Sequence, residues 1–228
     1  MDLLLSRRAL IGAGLILPAL ALPGCATRLG DLVNLEGAIR RLLTISSQRA
    51  FARLLTDEGF FRDELTRIDV PPQLGGSRVG AALAVALGTR AVQDRLLHLV
   101  NDAAEEGARA AAPVVYDSIR NVSITDAARI MRGGPTAATD YLAGSMGDRL
   151  VDAVFPDVGN ALRVLDNGVI QQVLRVATGI NFSGLQADVA RKASASIFKA
   201  MGREEAAIRA NPESTNDPLL IAAFRMLR

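Results

Sequence analysis

The chain of 228 residues has 26 Lys and Arg, 24 Asp and Glu, one His, one Cys and no Trp. This near balance of charge, with only two Tyr, excludes the stripe of cations and aromatic rings that nucleic-acid binding requires. It also excludes a structural zinc site, which needs several Cys or His ligands. We therefore expect no nucleic-acid partner, no metal and no cofactor.

The N-terminus has the layout of a secretory signal. Arg7 and Arg8 precede the apolar run ALIGAGLILPALAL, which ends in LPGC at residues 22–25. The run is shorter than the roughly 20 apolar residues of a membrane-spanning helix, so we expect cleavage. LPGC resembles the bacterial lipobox, in which a small residue precedes a cysteine that receives a diacylglycerol. The alternative is an ordinary secretory signal with an incidental cysteine.

The lipobox resemblance implies that residues 1–24 are removed and that Cys25 becomes the lipidated N-terminus. Residues 25–30 would form a tether and residues 31–228 the folded domain. Several acyl chains, at about 0.8 kcal/mol per buried CH₂, anchor a protein stably without a spanning helix. By resemblance to lipoprotein sorting, Ala26 favours the outer membrane. We expect a periplasm-facing protein anchored there.

The rest of the chain has the pattern of successive helices. No segment alternates apolar and polar residues for long, and the breaks fall at Gly, Pro, Asn and Asp. This predicts an all-α fold without a β-sheet, as one multi-helix domain of about ten helices. Start signals are Ser77, Ser183 and the pair Asp217 and Pro218. The predicted helices lie at 31–44, 47–57, 77–88, 89–112, 113–121, 124–132, 135–152, 157–167, 168–178, 184–210 and 218–227.

One long predicted helix, at 89–112, has an apolar stripe on one side and a polar ridge on the other. Ridge residues three or four positions apart can contact each other. A solvated face with weak helix pairs is the simpler interpretation, and a catalytic or ion-binding ridge is the alternative. The ridge residues are Asp94, His98, Asn101, Asp102, Glu105 and Arg109.

The stretch NVSITDAARIMRGGPTAATDYL, residues 121–142, contains the signals of a tight corner between two helices. Ser123 and Asp126 have the spacing of a capping box. Gly133 suits the left-handed residue after a helix, and Pro135 suits the first position of the next helix.

The same corner has a functional alternative, an anion site at the N-terminus of the helix beginning at Pro135. Thr136 and Thr139 would be its hydroxyl donors. The stretch lacks the lysine and the long glycine loop of a phosphate-binding loop, so the structural interpretation is preferred.

Three segments carry a family resemblance: DEGFFRDELTRIDVPPQL, the run LLHLVNDAAEEGARAAAPVVYDSIRNVSITDAARIMRGGPTAATDYL, and ASASIFKAMGREEAAIRANPESTND. They resemble the bacterial family of domain of unknown function 4197. The likeness is most specific at residues 101–105, 126–139 and 204–212. It implies an exported, mostly helical protein, and it supplies no catalytic residues.

Glu204 is anomalous because it falls near the centre of the apolar stripe of the last long helix, whereas Glu205 falls towards its outer edge. An inward carboxylate is costly unless it is paired and hydrogen-bonded. We expect Glu204 to pair with an arginine of a neighbouring helix; the alternative is a carboxylate lining a ligand cleft. Glu205 and Arg209 have the spacing of an i,i+4 ion pair.

These observations predict a lipid-anchored, non-catalytic protein that binds a partner protein or an apolar small molecule between its helices. The alternative is a carboxylate-dependent hydrolase using Glu105, Asp126 and Glu204. An enzyme requires these acids to converge on one cleft, with at least one raised pKa, whereas a binding protein allows each to be paired separately. The candidate polar cluster comprises His98, Asn101, Glu105, Asp126, Thr139, Glu204 and Arg209.

Overall fold

The computed structural model describes residues 34–70, 89–164 and 182–227. These ranges form seven α-helices, one 3₁₀ helix and no β-strand, which confirms the all-α prediction with fewer helices than expected. The signal segment, Cys25, Ser77 and the helices predicted at 77–88 and 168–178 lie outside the described residues. The helices are α1 Leu35–Leu54, α2 Arg90–Asn121, α3 Ala127–Arg132, α4 Ala137–Met146, α5 Arg149–Val164, α6 Phe182–Ala210 and α7 Pro218–Met226, with the 3₁₀ helix at Pro212–Thr215.

Two breaks predicted at prolines do not occur. Pro113 lies inside α2 and Pro156 inside α5. Each ring is on the exposed side of its helix, so the missing N–H removes one hydrogen bond without disturbing the buried face. The helix predicted at 135–152 is instead divided at Gly147, whose φ of 53° is in the left-handed region that favours glycine.

The core lies between α1, α2, α5 and α6, and α6 contacts each of the other three. Small residues allow close helix packing. A Cβ on Gly107 of α2 would lie 2.6 Å from Cγ1 of Val154 and 2.9 Å from Cγ2 of Val158, both on α5. A larger residue would therefore force α2 and α5 apart.

The shorter helices pack around this bundle. α3 and α4 both contact α1, and α4 also contacts α6. α7 packs on α1 and begins as predicted: the Asp217 carboxylate accepts the N–H of Leu220 at 3.0 Å, and Pro218 is in the first turn. Arg41 of α1 donates to the same carboxylate at 2.5 Å and so ties α7 to the bundle.

The cap of α3 differs from the prediction. Asp126 is the N-cap residue itself, and its carboxylate accepts the N–H of Arg129 at 3.0 Å. Ser123 lies outside the helix, where its carbonyl accepts a hydrogen bond from the hydroxyl of Tyr141. The capping-box prediction was wrong because the chain enters the helix three residues later than its spacing suggested.

Residues 55–70, which we call the strap, follow α1 as a series of turns without a regular helix. The strap contributes Phe60 and Ile68 to the core, at 0% and 2% exposure. Across the described residues, no helix combines the length and apolar character needed to cross a membrane.

Candidate functional site

Glu205 of α6 holds the start of α4. Its carboxylate accepts the N–H of Ala138 at 2.9 Å and the N–H of Thr139 at 2.7 Å. These amides belong to the first turn of α4, where N–H groups have no partner within the helix and attract negative charge. Glu205 is 0% exposed, so its predicted place at the outer edge of the apolar stripe was wrong.

Arg209 extends this contact to α3. The predicted i,i+4 pair with Glu205 is present, at 2.7 Å, and only 10% of the Arg209 side chain is exposed. The guanidinium also donates to the carbonyls of Met131 at 2.7 Å and Ile130 at 3.1 Å, in the last turn of α3. One buried ion pair therefore satisfies the end of α3 and the start of α4 together.

The start of α4, where the alternative interpretation placed an anion site, thus binds the protein's own carboxylate. Pro135 lies in the turn before α4 rather than in its first helical position. The Thr139 hydroxyl is buried and has no hydrogen-bond partner among the described residues, so it does not face an external anion. Gly133 has φ −68°, and the left-handed conformation predicted for it was wrong.

Glu204 is buried at 4% exposure, and its Oε1 lies 3.1 Å from Nε of Arg53 on α1. The prediction of an inward carboxylate paired with an arginine of a neighbouring helix is therefore confirmed. Arg203 is a second cation, with its Nε 3.9 Å from the same oxygen. The Arg53 side chain is 65% exposed, so this pair lies at the edge of the core.

Two residues of the polar ridge of α2 are covered by the strap. Asn101 is 0% exposed and Glu105 is 7% exposed, so the interpretation as a solvated face was wrong for both. The Asn101 amide accepts the N–H of Ile68 at 2.8 Å and donates to the carbonyl of Ile68 at 2.9 Å. Glu105 accepts the N–H of Phe60 at 3.3 Å. These two side chains replace the hydrogen bonds that a non-helical buried segment lacks.

His98 and Glu105 both contact the strap. The His98 ring stacks on Phe61 with centroids 3.8 Å apart, and its Nδ1 is 3.6 Å from Oε1 of Glu58. Burial raises the pKa of Glu105 above its ordinary value, although the Phe60 amide opposes that rise. Burial also raises the pKa of Asp102, against the lowering effect of His98.

The acids named for a possible enzyme have separate partners. Asp126 is exposed, caps α3 and lies 3.1 Å from Nε of Arg129. Glu105 contacts the strap, and Glu204 pairs with α1. No three His, Cys, Asp or Glu side chains in the described ranges are arranged to hold a metal ion.

The structure brings five of the seven candidate residues together in two groups and leaves Asp126 and Glu204 apart from both. His98, Asn101 and Glu105 meet the strap, whereas Thr139 and Arg209 are joined through Glu205. Sequence reasoning omitted Glu205 from the candidates, because the helix pattern does not show which helix ends lie opposite it. It also omitted Phe61 and Glu58, whose only signal was their place in the DEGFF segment.

Comparison with known proteins shows a family match. Residues 32–225 match the family DUF4197, which is described as "Protein of unknown function". No curated protein and no solved structure matches the chain.

Proposed function

We propose that this chain, which belongs to the DUF4197 family of proteins of unknown function, is a lipid-anchored envelope protein that acts by binding rather than by catalysis. The observation that carries the proposal is that each acid named for a catalytic site is engaged in a separate structural contact. Glu105 holds the strap, Asp126 caps α3 and Glu204 pairs with Arg53. A hydrolytic site needs its acid and base to face one substrate.

The anchor in this proposal is Cys25, in the sequence LPGC. Lipidation there would place the domain on the periplasmic side of the outer membrane, with residues 25–30 as the tether. Palmitate labelling in cells tests it. Cys25→Ser should lose the label and leave the detergent phase, and wild-type protein should sediment with outer-membrane markers. A Cys25→Ser protein that still labels and partitions as wild type contradicts the anchor.

The ligand we propose is a partner protein or an apolar small molecule. Among the described residues, the large apolar side chains with most exposure are Leu65 of the strap, at 42%, and Met226 of α7, at 39%. A photo-crosslinking residue at Leu65 should capture a specific partner in cells, with the exposed neighbour Glu64 as the matched position. Native mass spectrometry of protein extracted from the envelope should instead reveal a retained apolar molecule. The proposal is contradicted if no crosslink specific to Leu65 forms and no apolar molecule is retained.

A carboxylate-dependent hydrolase is the second candidate, because the pKa values of Asp102 and Glu105 are both raised by burial. Such shifts concentrate at catalytic sites, although structural groups also show them. Hydrolysis of chromogenic ester, glycoside and phosphate substrates by the wild type, lost in Glu105→Gln and kept in the exposed neighbour variant Glu106→Gln, would favour this candidate over binding.

A further inference from the structure

We propose that the strap, residues 55–70, is a detachable cover that docks on α2 more firmly in acid than at neutral pH. Its detachment withdraws Phe60 and Ile68 from the core and bares the apolar surface that they now cover. The use of that surface for an apolar ligand rests on the binding function proposed above. The movement itself does not depend on it.

In addition to the burial of Phe60 and Ile68, the backbone of the strap is held by side chains from two helices. From α2, Asn101 bonds both backbone groups of Ile68. From α6, the Ser196 hydroxyl donates to the carbonyl of Thr66 at 2.8 Å. These contacts fix the last part of the strap to the bundle without any regular hydrogen-bond ladder. A segment held in this way can open locally at less cost than a core helix.

Arg203 of α6 adds an ion pair, with Nη1 2.5 Å from the Asp63 carboxylate. The start of the strap is strained, since Glu58 has φ 56°, a conformation that residues other than glycine adopt at a cost. Release of the strap would relieve this strain, whereas its docking depends on the polar contacts from α2 and α6.

Four carboxyl groups are brought together when the strap docks. Asp57 and Glu58 on the strap raise the pKa of Asp102, and Asp102 in turn raises the pKa of Glu105. For both α2 carboxyls, burial is the largest cause of the rise. Docking therefore places the buried Glu105 and the partly buried Asp102 close to other acids, and the ionised forms of these carboxyl groups oppose docking.

The cations at this site only partly compensate. His98 lowers the pKa of Asp102, and Arg109 lowers that of Glu105. Arg62 lies 2.5 Å from Glu58, but its side chain is 72% exposed, so solvent screens the pair. His98 also faces the strap, with its Nδ1 3.6 Å from Oε1 of Glu58.

The direction of the pH effect follows from the raised pKa values of Asp102 and Glu105. A group whose pKa is higher when docked binds a proton more tightly in that state, so protonation stabilises docking. For Asp102 and Glu105 this contribution is complete below their ordinary values of 3.8 and 4.5. This stabilisation of docking is lost as the pH rises through the raised pKa values of the two groups. The strap should accordingly open more often at neutral pH than in acid.

Hydrogen–deuterium exchange of the full mature protein tests this, with rates converted to protection factors at about pH 4.5 and about pH 7.5. The amides of Phe60 and Ile68 should lose protection by at least about threefold at the higher pH, while the amides of the buried middle of α6 change less. In Glu105→Gln the strap amides should keep at both pH values the protection that they have in acid, because glutamine matches the protonated acid in shape and charge.

The exposed residue Glu106 provides the control, because Glu106→Gln on the same helix should behave as wild type. Strap protection that stays constant or increases with pH in the wild type would overturn the proposal, as would an unchanged pH dependence in Glu105→Gln. If that variant does not fold, Asp102→Asn and the wild-type profile still decide the question. None of these measurements involves a ligand. They therefore test the movement of the strap even if the proposed binding function is wrong.

Discussion

At the residue scale, a buried polar side chain is explained by the group that it contacts. Glu204 and Glu205 are neighbours on α6, and both are buried, but their partners differ. Glu204 meets the largely exposed Arg53, whereas Glu205 meets two amides and the buried Arg209. Loss of the Glu204 charge leaves a cation that water can solvate, so the two positions should differ in sensitivity.

Glu204→Gln should reduce the free energy of unfolding by about 1–3 kcal/mol, between the values for exposed and buried ion pairs. Chemical denaturation at neutral pH measures the change. Glu213→Gln serves as a comparison, because the Glu213 side chain is 52% exposed and pairs with the exposed Arg225. A Glu204→Gln protein as stable as wild type would show that this pair does not stabilise the fold.

The glycine pair at the corner separates packing from backbone conformation. A Cβ on Gly133 would lie 2.6 Å from Cβ of Ala137, whereas a Cβ on Gly134 would meet nothing within 4 Å. Gly133→Ala should therefore destabilise the protein by about 1–2 kcal/mol through crowding. Gly134→Ala should change stability by less than about 0.5 kcal/mol. Equal melting temperatures for the two variants would contradict the steric explanation.

At the element scale, α3 and α4 depend on α6 for their termini. α3 has six residues, too few to be stable alone, and its last carbonyls are bound by Arg209. The first amides of α4 are bound by Glu205. The corner is thus ordered by a helix that lies about 70 residues further along the chain, as the separations of 67 and 78 residues show.

Removal of the Glu205 carboxylate should reopen the anion site at the start of α4. Glu205→Ala leaves Arg209 buried without its partner, so we expect a loss of about 3–5 kcal/mol. Added formate should then raise the melting temperature of the variant more than that of the wild type, because a small carboxylate can bind the freed amides. Sodium chloride at equal ionic strength is the control. A variant that gains no more from formate than from chloride would contradict the carboxylate site.

At the scale of the whole molecule, acids that are fully or partly buried act on stability in opposite directions as the pH changes. Burial alone would raise the pKa of Asp217, but the hydrogen bond from Arg41 and the amide of Leu220 bring it below its ordinary value of 3.8. The pKa values of Asp102 and Glu105 are instead raised by burial. Stability from Asp217 is lost in strong acid, and stability from the other two is lost as the pH rises.

Asp217→Asn should remove the part of the stability loss in acid that comes from protonation of Asp217. The contribution of Asp217 is present above 3.8 and disappears as the pH falls through its lowered pKa. At neutral pH the variant should be less stable by about 1 kcal/mol, since Arg41 is largely exposed, and the difference should shrink below about pH 3.5. Thermal melts across pH measure it. A constant difference at all pH values would mean that the Asp217 charge does not stabilise α7.

Much of the architecture could be predicted from the sequence because it depends on local patterns. Helical periodicity determined the all-α class, the Asp217–Pro218 signal determined the start of α7, and the angular position of Glu204 determined that it points inward. Each of these properties is set by residues within a few turns of each other. The export signal at residues 1–24 is equally local, and it remains a prediction.

Tertiary structure alone decided which polar residues are buried and what they bind. The ridge of α2 has the composition of a solvated face, and the strap that covers Asn101 and Glu105 comes from residues 33 and 45 positions earlier in the chain. Glu205 likewise acquires its role only when α6 passes the ends of α3 and α4. Burial and hydrogen bonding are properties of both contacting segments, so a pattern within one helix determines which residues share a face but not what covers that face.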